Sequence, residues 1–210
     1  MGIEDNFNNA LKELRKTEKK SKFDETVDLI INLKNFDARK DAFSIFLEMP
    51  VKIKEKKIAG FFEKDSKVID TIKKEDFPRY KEKKDARRLV KDYDFFIANA
   101  KLMPSIATSF GRVLGPAGKM PSPQLGILTS EDDNAIRQLN ERINSTIRVR
   151  AKEPSIKIGI AKESFKDENI IKNAVFAYQR VVETLPKKID NVRNVKIKFT
   201  MGKPVPVKLW

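Results

Sequence analysis

Apolar residues recur at helical spacing in residues 6–20, where Phe7, Ala10, Leu11 and Leu14 share one face, so the pattern predicts an amphipathic helix. Residues 26–33 then alternate, placing Val27, Leu29, Ile31 and Leu33 on one side of a strand. A polar, turn-like stretch over residues 35–41 leads to a second alternation at 43–47, and the two alternations predict a strand pair. From Lys57 the pattern changes. Residues 58–62 (Ile-Ala-Gly-Phe-Phe) and 94–98 (Asp-Phe-Phe-Ile-Ala) are short continuous apolar runs, as expected of strands covered on both faces. Charged helical segments are predicted around residues 66–73 and 85–91. Met103, Ile106, Ala107, Phe110 and Leu114 mark a further helix, and residues 131–143 another. Strands alternating with helices predict crossovers and a small parallel sheet.

After Ile147 the first style returns. Residues 147–152 and 155–160 read as a hairpin closed near Glu153-Pro154, residues 166–185 as the longest helix, and 195–200 as a last strand. The two ends therefore share one style and the middle another. The fold expected is an α+β discontinuous domain, residues 1–52 plus 148–210, with an α/β domain of residues 53–147 inserted into it.

Composition sharpens this picture. The 210 residues carry 44 Lys and Arg against 30 Asp and Glu, a formal charge of +14. Residues 1–52 are neutral overall, residues 53–147 carry +5, and residues 148–210 carry +9. Concentrated positive charge attracts polyanions, because each phosphate it neutralises releases counterions. Lys/Glu surface networks would account for the high charge content but not for its sign. There is no Cys and no His, which excludes disulfide scaffolds, thiolate metal sites, cysteine nucleophiles and histidine-based triads. No apolar run reaches the roughly 18 residues that span a bilayer. The opening Met1-Gly-Ile-Glu-Asp5 lacks a basic-then-apolar signal pattern, so a soluble cytoplasmic protein is expected.

Four segments are candidates for chemistry. Gly111-Arg-Val-Leu-Gly115-Pro-Ala-Gly118-Lys119-Met120-Pro121-Ser-Pro123 superficially resembles a phosphate loop. A Walker loop, however, needs Gly and Ser or Thr where Val113 and Met120 stand. Its prolines and glycines predict a stiff interdomain connection instead, with Gly115, Gly118, Pro121, Pro123 and, at the other crossing, Lys52 as hinge residues. Arg112 and Lys119 remain candidate phosphate contacts. Glu131-Asp132-Asp133 follows the N-cap residues Thr129-Ser130 and reads as helix-start chemistry rather than a metal site. Thr200-Met201-Gly202 ends a strand, where Gly permits close backbone approach and Thr offers a hydroxyl to a phosphate or ribose. Phe23 is either a core residue or an exposed aromatic placed against a ribose or base.

Lys22-Phe-Asp-Glu-Thr-Val27, Asp94-Phe-Phe-Ile-Ala98 with Leu102-Met-Pro104, Leu114-Gly-Pro-Ala-Gly-Lys-Met-Pro121 and Thr200-Met-Gly202 stand in an order and spacing that together resemble the large-subunit ribosomal protein L-one family in an archaeal-type form. The resemblance implies two domains, with both termini in the RNA-binding one and a Rossmann-like three-layer domain inserted. It implies a non-enzymatic protein, monomeric when free and without cofactors, that binds large-subunit rRNA. There it would form the mobile lateral stalk near the tRNA exit site and aid release of deacylated tRNA. Binding of exit-site tRNA and repression of its own mRNA are further implications. Phe23 and Thr26 would then lie at the rRNA-facing strand start, with Lys22 and Lys162 as neighbouring cations, and Thr200, Met201 and Gly202 would form the recognition loop. Arg150 and Lys152 enter only as charge contributors, since the order of residues 150–153 departs from the family pattern. Ala117 stands where archaeal-type relatives usually carry Arg. The rival reading is a nucleic-acid or nucleotide-processing enzyme with a basic surface.

Overall fold

The computed structural model describes residues 2–17, 23–80 and 82–208. In chain order the elements are α1 (Ile3–Thr17), β1 (Thr26–Leu33), β2 (Phe43–Glu48), β3 (Ile58–Phe61), β4 (Asp70–Ile72), α2 (Lys83–Asp92), β5 (Phe95–Asn99) and α3 (Met103–Ala117). They continue with β6 (Ile127–Leu128), α4 (Asp133–Ser145), β7 (Thr146–Ala151), β8 (Ser155–Lys162), α5 (Asp167–Thr184), β9 (Val192–Phe199) and β10 (Val205–Val207). The chain divides into two units, Met1–Ile53 with Ser145–Trp210, and Lys54–Asn144. The result is a mixed α/β protein with several sheets.

In the first unit, β1 is a central strand of an antiparallel sheet ordered β10-β9-β1-β8. Its strict alternation buries Val27, Leu29, Ile31 and Leu33. Those residues join Phe7, Leu11 and Leu14 of α1 and Ile170, Ala174 and Val181 of α5 in one core. Phe7 and Tyr178 meet across the two helices with ring centroids 6.2 Å apart. The opposite positions, Thr26, Asp28 and Ile30 of β1 with Lys196 and Lys198 of β9, are half-buried. Asn173, fully buried in α5, accepts from the Val51 N–H at 3.0 Å and donates to the Val51 and Ile160 carbonyls. A buried amide satisfied on three sides fixes the chain near residue 51.

The second unit is built on a parallel sheet ordered β4-β3-β5-β6. Phe61, Phe77, Phe96 and Phe110 cluster beneath α2 and α3, with Phe61 and Phe96 stacked at 5.5 Å and Phe77 edge-on to Phe110 at 5.1 Å. Gly126 has φ +111° and passes against Phe95 and the Phe96 carbonyl, a turn that a side chain would strain.

Several expectations need correction. β1 does not pair with β2: both edges of β1 are taken by β8 and β9, and β2 pairs with β7 in a separate two-stranded sheet. The same pairings dissolve the expected hairpin at Glu153-Pro154, because β7 and β8 enter different sheets. Residues 66–73 are not helical. Val68, Ile69, Thr71 and Ile72 are β-branched, and the stretch ends in β4. The short β10, interrupted by Pro206, was not foreseen.

The hinge expected at residues 115–126 is not a connection. The chain passes between units at residues 53/54 and 144/145, so Lys52 is close to a crossing, whereas Gly115, Gly118, Pro121 and Pro123 lie inside the second unit. Gly118, at φ 68°, is the left-handed C-cap of α3, which explains the glycine there. Lys119 is not available to phosphate either. Its ammonium donates to the Val90 and Tyr93 carbonyls at 2.6 and 2.7 Å, a cation closing the C-terminus of α2.

Candidate nucleic-acid interface

The antiparallel pairing Val27↔Phe199 brings the start of β1 beside the end of β9, and Thr26↔Lys162 adds the end of β8. Three segments distant in sequence thus converge at one end of the first unit's sheet. Thr200 Oγ1 accepts the Thr26 N–H at 3.2 Å and donates to the Thr26 carbonyl at the same distance. The Met201 N–H donates to Glu25 Oε2 at 2.9 Å, and the Gly202 N–H to the Phe199 carbonyl at 3.0 Å. Lys162 Nζ donates to Thr26 Oγ1 at 3.1 Å and to the Asp24 carbonyl at 3.3 Å.

The loop at 200–202 is therefore built rather than floppy. The Met201 amide is tied to Glu25 and the Thr200 hydroxyl to the backbone of Thr26, while the Met201 side chain points outward. Met201 is 76% exposed and Phe23 56% exposed. That settles the alternative left open for Phe23: it is not core. Large exposed apolar side chains gathered at one end of a sheet mark a contact surface.

The surroundings are cationic, with Lys198 and Lys196 on the neighbouring face of β9 and Lys203 after the loop. Asp28 sits among them. Burial pushes its carboxyl up, with Lys198 pulling against that rise.

Two residues of this corner carry no signal in the sequence. Glu25 is only 6% exposed and serves as the acceptor for Met201. Asp24 accepts from the Ser164 N–H at 3.0 Å and the Ser164 hydroxyl at 2.9 Å, which holds the turn after β8. Acidic side chains argue against an anion-binding surface when read from sequence. Here Glu25 is turned inward onto the Met201 N–H, and the exposed Asp24 is engaged by the Ser164 N–H and hydroxyl.

Not every candidate joins this cluster. Lys22 lies outside the described residues. Arg150 is paired with Ser44 on the β2–β7 ribbon, in a different sheet. Lys152 is exposed just before β8, whose first residue pairs with Asn32 while its last pairs with Thr26. At about 3.3 Å per residue, the length of β8 puts Lys152 more than 20 Å along the sheet from the loop. Glu131 is not a metal ligand in waiting: its carboxylate takes the Glu63 and Lys64 N–H groups at 3.0 and 3.1 Å and the Asn99 amide at 2.6 Å. No group of residues able to hold a metal ion occurs among the described residues.

Comparison with known proteins gives a consistent result. The family model described as Ribosomal protein L1p/L10e family matches residues 14–203. The large ribosomal subunit protein uL1 of Thermococcus kodakarensis is 34% identical over 210 residues, covering 95% of this chain and 95% of that protein. The protein of the same name from Nanoarchaeum equitans is 33% identical over 199 residues, covering 90% and 93%. That from Methanocaldococcus jannaschii is 32% identical over 210 residues, covering 95% and 93%.

Proposed function

The chain belongs to the ribosomal protein L1p/L10e family, a structural protein of the large ribosomal subunit and not an enzyme, and from that premise we propose that its first unit binds large-subunit rRNA through the loop at residues 200–202 and the start of β1. The observation that carries this reading is the convergence of Phe23, Thr26, Lys162 and Thr200–Gly202 at one end of the sheet, with loop amides anchored and apolar side chains exposed. A rigid backbone surface reads RNA by shape and by 2′-hydroxyl and phosphate contacts, while peripheral lysines add salt-dependent affinity.

In this proposal residues 1–53 and 145–210 are the RNA-binding domain, and residues 54–144 a Rossmann-like domain inserted into it. Its parallel sheet with helical crossovers supports that description. Arg150 and Lys152 contribute charge outside the recognition loop. We assign the protein to the mobile lateral stalk near the tRNA exit site, with deacylated exit-site tRNA and its own mRNA as further RNA partners.

The test is co-sedimentation with large subunits together with protein–RNA crosslinking of the full chain. Crosslinks from Phe23, Met201 and neighbouring residues to one rRNA junction are expected. Co-sedimentation with crosslinks confined to the second unit would overturn the assignment of the surface.

A further inference from the structure

The second unit holds a cavity of about 510 Å³, between α3, α2 and the 3-10 segment Lys74–Tyr80, that the proposed rRNA surface does not use. Its volume falls within the roughly 300–1,000 Å³ typical of small-ligand sites. Tyr80 forms its aromatic side and the buried Phe77 its floor, and both are braced by Phe110, at centroid distances of 5.7 and 5.1 Å. Their planes are thus fixed before any ligand arrives.

The polar side is Ser109 and Arg112, one turn apart on α3. Thr108 spends its hydroxyl on the Pro104 carbonyl at 3.0 Å. By contrast, neither the Ser109 hydroxyl, the Arg112 guanidinium nor the Tyr80 hydroxyl has a hydrogen-bond or ion-pair partner among the described residues. Helix α2, which contributes Ala86 to the wall, carries five basic residues against two acidic ones. A guanidinium with spare donors in a basic setting suits a phosphate, which it binds through two parallel hydrogen bonds. A fixed aromatic ring beside it suits a planar base.

We propose that this cavity binds a 5′-nucleotide, with the phosphate on Arg112 and Ser109 and the base against Tyr80. Two sources share that chemistry: a free mononucleotide and an unstacked nucleotide of a single-stranded RNA. The site lies wholly within the second unit and is independent of the loop at 200–202.

The experiment titrates the full chain with uridine and adenosine 5′-monophosphates, and separately with a five-residue oligouridylate, following backbone amide shifts. Saturable shifts at Tyr80, Ser109 and Arg112 are expected, weakened at least tenfold in Arg112→Gln. Unphosphorylated adenosine should bind weakly and equally to wild type and Arg112→Gln. Saturation by monophosphates identifies a free nucleotide as the ligand, and saturation by the oligonucleotide alone identifies an RNA segment. Shifts confined to Met201 and Gly202, undiminished binding by Arg112→Gln, or inorganic phosphate binding as tightly as the nucleotides would each overturn the proposal.

Discussion

Replacing Glu25 by Ala removes the acceptor that holds the Met201 N–H at 2.9 Å, in a side chain only 6% exposed. A hydrogen bond to a charged group contributes about 1.5–3 kcal/mol. Local opening of the loop should become easier by that amount, so the Met201 amide should exchange with solvent about tenfold to a hundredfold faster. If the anchored loop is the RNA-reading element, rRNA-fragment affinity should fall by a comparable factor, because ordering the loop is then charged against binding. Glu25→Gln keeps a carbonyl acceptor at the same reach and should retain most of the protection and most of the affinity. The assay is hydrogen exchange resolved at Met201 beside filter binding at fixed salt. An Ala variant with unchanged Met201 protection would show that the carboxylate does not hold the loop. Fast exchange with unchanged affinity would show that loop order plays no part in recognition.

Three further outcomes are expected. Thr200→Val should disconnect the loop from both polar groups of Thr26 and lower rRNA-fragment affinity about tenfold, whereas Lys203→Gln, just after the loop, should weaken binding modestly and reduce the salt slope by about one unit; the reverse ranking in a salt titration would make charge, not loop shape, the determinant. Against the burial that pushes it up, the Glu63 and Lys64 amides and Asn99 hold the Glu131 carboxyl below its usual 4.5; its stabilisation is complete above that value and lost as pH falls through the lowered one, so the melting-temperature gap between wild type and Glu131→Gln should close in acid and stay constant if the contacts are weak. Burial lowers the Lys56 ammonium to about 8, with Asp94 opposing and Lys54 adding, so the unfolded chain binds the extra proton between pH 8 and 10.5; wild type should gain stability relative to Lys56→Met across that window, and parallel melting curves would refute it.

What the sequence made legible follows from range. The odd positions of β1, the stripe of α5 and the apolar runs of β3 and β5 are local periodicities, and each has its expected form. Pairing is not local. Nothing in residues 43–48 says that their partner is 146–151, since that choice is made by the two strands that already flank β1. The residues at 115–126 misled for a related reason. Glycine and proline mark a break in regular structure, but a helix cap and an interdomain connection ask for the same residues. Only the burial of Leu114 and Pro121 and the staple made by Lys119 tell them apart.

The candidate interface shows the same division, and it carries a consequence for mechanism. Phe23 and Thr200–Gly202 stand out in the sequence as aromatic, small or flexible residues beside strands, whereas Thr26 enters only through the resemblance to the family. Asp24 and Glu25 carry no mark of a role in the sequence alone. In the folded chain both are consumed by Ser164 and Met201, and Thr200 is consumed by Thr26. The hydroxyl that looked available for a ribose is already engaged by the protein's own backbone. In the proposed interface the loop therefore presents a surface of fixed shape, with Met201 and Phe23 outermost and lysines at its margin, rather than a set of free hydrogen-bonding side chains. Discrimination between RNA sites should then depend on how closely a junction fits that surface, and added salt should weaken matched and mismatched RNA by similar factors.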